Sequence, residues 1–268
     1  MTDRKKVLAR VISQNKLSEG IYDLWLEFGD DAFDFNAVIP GQFANLYTKD
    51  PSKLLPRPIS ICEVDADKKA LRFVYRVVGS GTLFFSTLKE NDTLPVLAPL
   101  GNGYDYALKN ESDKDVHVAI GGGIGIPPML ELCKKISQSG KRPVAVLGYR
   151  DNDLFLKNEF EKYADVYIST DDGSVGTHGT VIDALKESGV KADVLYSCGP
   201  IPMLKGVKGY ALEADIAAYI SLEERMACGI GACLGCVCKT TEVDDHSHVN
   251  NARVCKDGPV FECRAVEL

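Results

Sequence analysis

The chain has 268 residues, 45% of them apolar and 26% charged, which is enough for about two domains of ordinary globular composition. A net charge of −7 excludes the basic footprint that nucleic-acid binding requires. No apolar run approaches the ~20 residues of a membrane-spanning helix, and Val7-Leu8-Ala9, cut off by Arg10, is too short for an export signal. The expectation is a cytoplasmic protein that meets neither nucleic acid nor membrane.

Residues 1–103 read as β-structure. Ile21 to Phe28 mixes apolar and acidic residues in strand-like alternation, and Gln42 to Thr48 and Leu71 to Val78 are short runs rich in β-formers. Pro40-Gly41, Pro56-Arg57-Pro58 and Pro99-Leu100-Gly101 punctuate them. Short strands at this spacing predict an antiparallel β-barrel, with one helix after Gly81-Thr82, over Leu83 to Leu88. Arg57-Pro58-Ile59-Ser60 sets a fixed cation and a hydroxyl beside a rigid turn, a combination able to hold a phosphate and touch a planar ring. Taken alone it reads as an edge-strand turn, and Gly81-Thr82 as a helix cap.

Residues 104–221 change rhythm. Strands at Val116 to Ile120, Val144 to Leu147, Val166 to Ser169 and Val194 to Ser197 alternate with helices. The helices fall at Pro128 to Ser137, around Asp153 to Tyr163, at Val181 to Lys186 and at Pro202 to Glu213. That alternation predicts βαβ units and a parallel, nucleotide-binding sheet. Gly121, Gly122, Gly123 and Gly125 follow a strand and open a helix, as phosphate-binding turns do. Pro128 stands where the dinucleotide fingerprint, counted from Gly123, has its third glycine. Cys198-Gly199-Pro200 ends a second strand in the same manner, which argues for one shared cleft at the carboxyl ends of the strands. Gly148-Tyr149-Arg150-Asp151 offers both an acid and an arginine and leaves the choice between NAD and NADP open.

Residues 222–268 hold the main chemical signal. Of nine cysteines, six lie between Cys228 and Cys263, and clustering in a reducing compartment points to metal rather than disulfides. Cys228-x4-Cys233-x2-Cys236, with Cys255 eighteen residues on, is the spacing of plant-type [2Fe-2S] proteins. Gly229, Gly231, Ala232 and Gly235 between them let backbone N–H groups approach the sulfurs. A structural zinc site is the alternative, drawing on Cys263, His246 or His248, and Cys263 could replace Cys255 as fourth ligand. Little helical or strand periodicity is visible here, so a ligand rather than an apolar core is expected to organise this module.

Together Arg57 to Ser60, Gly81-Thr82, Gly121 to Pro128 and Cys198 to Met203 resemble the ferredoxin reductase family. The tail Glu223 to Cys233 with Val254 to Phe261 resembles the electron-transfer subunits of type B dihydroorotate dehydrogenase, and the likeness covers essentially the whole chain. It implies FAD contacts from Arg57, Pro58, Ile59, Ser60, Val74, Tyr75, Arg76, Gly81 and Thr82. It implies a nicotinamide near Cys198 and Gly199, with Gly121, Gly122, Gly123, Gly125 and Pro200 binding the dinucleotide. It further implies a cluster on Cys228, Cys233, Cys236 and Cys255. The partner it implies is an FMN-containing catalytic subunit in a two-plus-two heterotetramer, with NAD as the electron acceptor in pyrimidine biosynthesis. A flavin can take electrons as a pair and release them singly, so it belongs between nicotinamide and cluster. Thr241 to Val254 is long for this family. The rival readings are the small subunit of an NAD(P)H-dependent ferredoxin oxidoreductase or sulfide dehydrogenase, and a zinc-bearing regulatory protein on a reductase fold.

Overall fold

The computed structural model describes residues 5–106, 116–243 and 248–268; His246 lies outside them. The N-terminal part is a seven-stranded antiparallel sheet curled into a half-barrel. Its strands are β1 (Lys5–Ser18), β2 (Ile21–Glu27), β3 (Phe43–Leu46), β4 (Arg57–Ser60), β5 (Glu63–Asp65), β6 (Ala70–Arg76) and β7 (Thr93–Leu100), with α1 (Ser80–Phe85) between the last two. The spatial order is β4-β3-β7-β1-β2-β6-β5. Inward-facing Ala9, Val11, Leu24, Leu26, Leu46, Phe73 and Leu94 close its core, all fully buried.

β1 and β7 escape the sequence reading. Val7, Ala9 and Val11 do alternate inward, but Leu8 faces out, 61% exposed, and hides the period. Pro99-Leu100, read as punctuation, is the end of β7.

The second sheet has the order β11-β10-β9-β8-β12-β13-β16. It is built from β8 (His117–Gly122), β9 (Val144–Tyr149), β10 (Asp165–Thr170), β11 (Thr177–His178), β12 (Val194–Cys198) and β13 (Ala217–Ser221), all parallel. The helices are α2 (Pro127–Gln138), α3 (Lys157–Phe160), α4 (Val181–Ser188) and α5 (Ile201–Ala214). Helices on both faces bury β8 and β12, which accounts for their continuous apolar runs. α4 starts where Thr180 and Asp183 cap each other, side chain to backbone N–H in both directions, worth about 1 kcal/mol. α2 carries Pro127 and Pro128 in its first turn, where no N–H partner is lost. The helix expected over Asp153 to Tyr163 shrinks to one turn, because the Asp151 carboxylate takes the Asp153 N–H and Leu156 adopts a left-handed φ of 65°.

The last module also differs from expectation. β14 (Val237–Lys239) and β15 (Asn251–Arg253) form a small hairpin, while β16 (Val260–Glu262) crosses over and pairs antiparallel with β13. Val254, Cys263 and Val266 share one apolar core with Ile220 and Leu222 of the nucleotide-binding sheet. An apolar core therefore anchors this segment as well. No helix among the described residues is long and apolar enough to cross a membrane.

Candidate functional site

The order of the parallel sheet reverses between β8 and β12, and the crevice outside the carboxyl ends at such a switch point is where α/β sheets bind ligands. Both glycine turns lie there. Gly121 pairs directly with Cys198 across the two strands, and Gly121, Gly122, Gly123 and Gly125 run from β8 into α2. At Gly125 a Cβ would stand 2.2 Å from the Cys198 carbonyl oxygen, so the two strand ends touch through bare backbone. Gly199 and Pro200 lead into α5, with Pro200 as its N-cap. Burial pushes the Cys198 thiol up to about 12, with the nearby Ser221 hydroxyl acting in the opposite direction. It stays protonated in neutral solution and can orient a ring but not relay a proton.

The barrel brings its own motif to the same side. β4 is an edge strand paired with β3, setting Leu46 opposite Arg57 and Asn45 opposite Pro58. The Arg57 guanidinium lies over Gly81, where a Cβ would be 2.3 Å from Nε; its Nη1 also donates to the Leu55 carbonyl at 2.5 Å. Thr82 Oγ1 donates to the Gly79 carbonyl and accepts from the Val78 N–H at 3.0 Å, tightening the start of α1. Arg57, Pro58, Ile59 and Ser60 are all half-buried, with side-chain surface left to offer a ligand. On β6, Val74 and Tyr75 are buried in the protein's own cores, and the Tyr75 hydroxyl accepts from Gln14 Nε2 at 2.7 Å. Only their backbone is left to face a ligand. Arg76 is exposed, and its Nη2 reaches to 4.0 Å from the Cβ position of Gly123. The end of β6 thus brings the barrel against the glycine turn.

The backbone brings Cys228, Cys233, Cys236 and Cys255 together: the Gly231 N–H of the first turn reaches the Cys255 sulfur, and the Cys255 N–H reaches the Cys236 sulfur. Backbone N–H groups aim at each sulfur: Ile230 at Cys228 (3.4 Å), Gly235 at Cys233 (3.4 Å), Cys255 at Cys236 (3.4 Å) and Gly231 at Cys255 (3.1 Å). Burial resists ionisation of Cys228, but the backbone N–H groups of Ile230, Cys233 and Ala232 and the Cys233 side chain outweigh it and bring the thiol down to about 6. Cys255 goes the other way, up to about 12, through burial and the neighbouring Cys236. Four thiolates cannot coexist here without a cation to compensate them.

Soft sulfur donors, two ligands for each of two metals and N–H groups turned to the sulfurs all suit a [2Fe-2S] cluster. Cys238 sits opposite Ala252 on the hairpin, and Cys263 donates to Glu262 Oε1 at 3.6 Å. His248 is exposed.

On the barrel side, Asn45 Oδ1 is a further sign of a missing partner, being buried with no hydrogen bond among the described residues; Ser197 Oγ, on β12 of the nucleotide sheet, is in the same state. Sequence reasoning missed Asn45, although a lone amide within Phe43-Ala44-Asn45-Leu46 was a signal. It also missed Arg72, whose partners Asp23, Glu63 and Glu159 are far apart in sequence.

Half-barrel, switch-point sheet and cysteine loop define a flavin- and nicotinamide-dependent reductase carrying an iron–sulfur module. The comparisons agree. The family model for the iron–sulfur cluster binding domain of dihydroorotate dehydrogenase B matches residues 223–267. The electron transfer subunit of dihydroorotate dehydrogenase B (NAD(+)) from Fusobacterium nucleatum is 43% identical over 235 residues, 85% of this chain and 87% of that protein. The subunit of the same name from Streptococcus pneumoniae is 40% identical over 260 residues, covering 97% of each. The chain belongs to this family of electron transfer subunits.

Among solved structures, an NADH-dependent reduced ferredoxin-NADP oxidoreductase superposes with a TM-score of 0.83 at 26% identity, over 97% of this chain and 89% of that one. A ferredoxin NADP+ reductase from Neisseria gonorrhoeae, solved with bound FAD and NADP, shares the fold alone. Its TM-score is 0.62 at 15% identity, over 78% of this chain and 92% of that one.

Proposed function

We propose that this chain is the NAD-side half of a cytoplasmic dihydroorotate-oxidising assembly, a heterotetramer of two such chains with two FMN-bearing catalytic subunits. Its working parts are an FAD-binding half-barrel (1–103), an NAD-binding domain (104–221) and a cluster domain (222–268). When bound, FAD joins the one-electron chemistry of the cluster to the two-electron chemistry of the nicotinamide. The residues do the holding. Cys228, Cys233, Cys236 and Cys255 ligate the cluster. Arg57 supplies a fixed cation for the flavin phosphates, and Pro58, Ile59 and Ser60 line the ring. Gly121 to Gly125 and Pro200 carry the dinucleotide, while Cys198 and Gly199 orient the nicotinamide.

The observation that carries this reading is the meeting of Gly125 with Cys198 at the switch point, with Arg76 of the barrel 4.0 Å from the Cβ position of Gly123 in the same turn. The relatives' name, electron transfer subunit of dihydroorotate dehydrogenase B, supports a separate catalytic partner that handles the substrate. The test is reconstitution with an FMN-bearing dihydroorotate dehydrogenase subunit. Dihydroorotate should then reduce NAD+ at a rate that neither protein reaches alone, and absence of any such gain sinks the reading. The likeness to the NADH-dependent ferredoxin-NADP oxidoreductase favours one rival, a subunit that passes electrons to ferredoxin. Ferredoxin reduction without a dihydroorotate response would select it.

A further inference from the structure

Asn45 is fully buried, 0% exposed, on barrel strand β3, between edge strand β4 and β7. Its side chain points away from the barrel core. Its neighbours Ala44 and Leu46 belong to that core, whereas Phe43, on the same face as Asn45, belongs to the separate apolar core that also holds Cys236 and Cys255. Two functional elements meet at this amide. Asn45 Nδ2 donates to the carbonyl of Cys228, the first cysteine of the cluster loop, at 3.0 Å. Gly229 allows that approach, since a Cβ there would stand 2.3 Å from Nδ2. Across the sheet Asn45 is paired with Pro58, and the next residue on that face of β4 is Ser60. Asn45 therefore shares a surface with two residues assigned to the flavin.

The other half of the amide is unspent. Among the described residues Asn45 Oδ1 is buried without a donor, a loss of about 1–3 kcal/mol if nothing ever meets it. We propose that Asn45 is a positioning residue shared by the flavin and cluster sites: its N–H fixes the Cys228 end of the cluster loop, and its Oδ1 accepts a hydrogen bond from the bound flavin. One rigid side chain then sets the spacing between two redox groups, on which electron transfer depends. The proposal rests on the flavin and cluster assignment above.

The experiment is an anaerobic redox titration of the full chain carrying its cofactors, with Asn45→Leu beside the wild type. Flavin and cluster are followed by their separate spectra, and FAD affinity is measured on flavin-stripped protein. Asn45→Leu is expected to weaken FAD binding about tenfold and to move both midpoints. A lower melting temperature with flavin affinity and flavin midpoint unchanged would assign Asn45 to packing alone and overturn the proposal.

Where Asn45→Leu does not assemble, Asn45→Asp keeps the shape and replaces the donor by a negative charge. It should lower both one-electron couples about tenfold, ~59 mV, and an unmoved flavin midpoint again overturns the proposal. A wild-type chain that binds neither flavin nor iron defeats the functional reading itself, a different result from either.

Discussion

The guanidinium of Arg72 on β6 grips Glu159 on α3, with Nη2 to Oε1 at 3.0 Å, while the same group holds Asp23 of the barrel through Nε and Nη2, both at 2.9 Å. Glu63 on β5 joins at 3.3 Å and itself accepts from Lys134 of α2 at 2.7 Å. This network ties the flavin barrel to the nucleotide domain, and its centre is buried, with Arg72 5% exposed. Burial opposes the charge on Arg72, but Glu159 and Asp23 outweigh it and keep the group cationic at any working pH. Removing one partner of a buried network leaves the others uncompensated. Arg72→Met is expected to cost about 3–5 kcal/mol, read from the shift in urea midpoint of the holo-protein. Glu159 is one-third exposed, so Glu159→Gln should cost about 1 kcal/mol or less while slowing flavin reduction by NADH, because the two domains lose their fixed angle.

Glu131 gives the pH dependence. It is 1% exposed on α2, accepting the Val64 N–H at 3.1 Å, and burial raises it above its ordinary 4.5. A carboxyl raised on folding favours the folded state while protonated, and that contribution is lost as pH rises from the unfolded value through the folded one. Glu131→Gln removes the burial cost of the charge and keeps an acceptor for Val64. The variant should be more stable than wild type at pH 7–8, and the difference should close below about pH 4.5. Urea midpoints across that range check it, and a gap that does not change with pH contradicts it.

At the switch point, Gly125→Ala would force a methyl against the Cys198 carbonyl, 2.2 Å away. The strand ends must separate. NADH-driven bleaching of the flavin should slow at least tenfold, about 1.4 kcal/mol of barrier, while chemical reduction by dithionite proceeds as in wild type. Cys198→Ala should behave differently. With its thiol at about 12, Cys198 does not titrate between pH 6 and 9, so stopped-flow bleaching by NADH should keep the wild-type pH profile even if its rate falls.

The surplus cysteines separate ligand from bystander. Cys255→Ser should lose the visible absorption of the cluster and most bound iron, since its sulfur takes the Gly231 N–H and its own N–H meets the Cys236 sulfur. Cys263→Ala should keep both, because that thiol faces Glu262. Iron and sulfide assays on the two variants decide between Cys255 and Cys263 as fourth ligand.

What the sequence made legible was whatever short-range chemistry encodes. The alternation of strand and helix from Val116 to Glu213 gave the parallel sheet, and the spacing Cys228-x4-Cys233-x2-Cys236 gave the cluster loop. What it hid depends on contacts distant along the chain. β1 was masked by outward-facing Leu8, and α3 was shortened by the Asp151 turn and the left-handed Leu156. β16 found its place only through the edge of β13. Asn45 and Arg72 are ordinary residues locally and gain their roles from Cys228 and Glu159, 183 and 87 positions away.

The most direct test of the account is the composition of the protein purified anaerobically with its native metal: flavin released and identified, iron, zinc and acid-labile sulfide assayed, and the visible spectrum followed as NADH is added. The account predicts one FAD with about two irons and two sulfides per chain, and bleaching by NADH. One zinc per chain without sulfide would contradict it, leaving the four cysteines as a structural clip on a reductase fold.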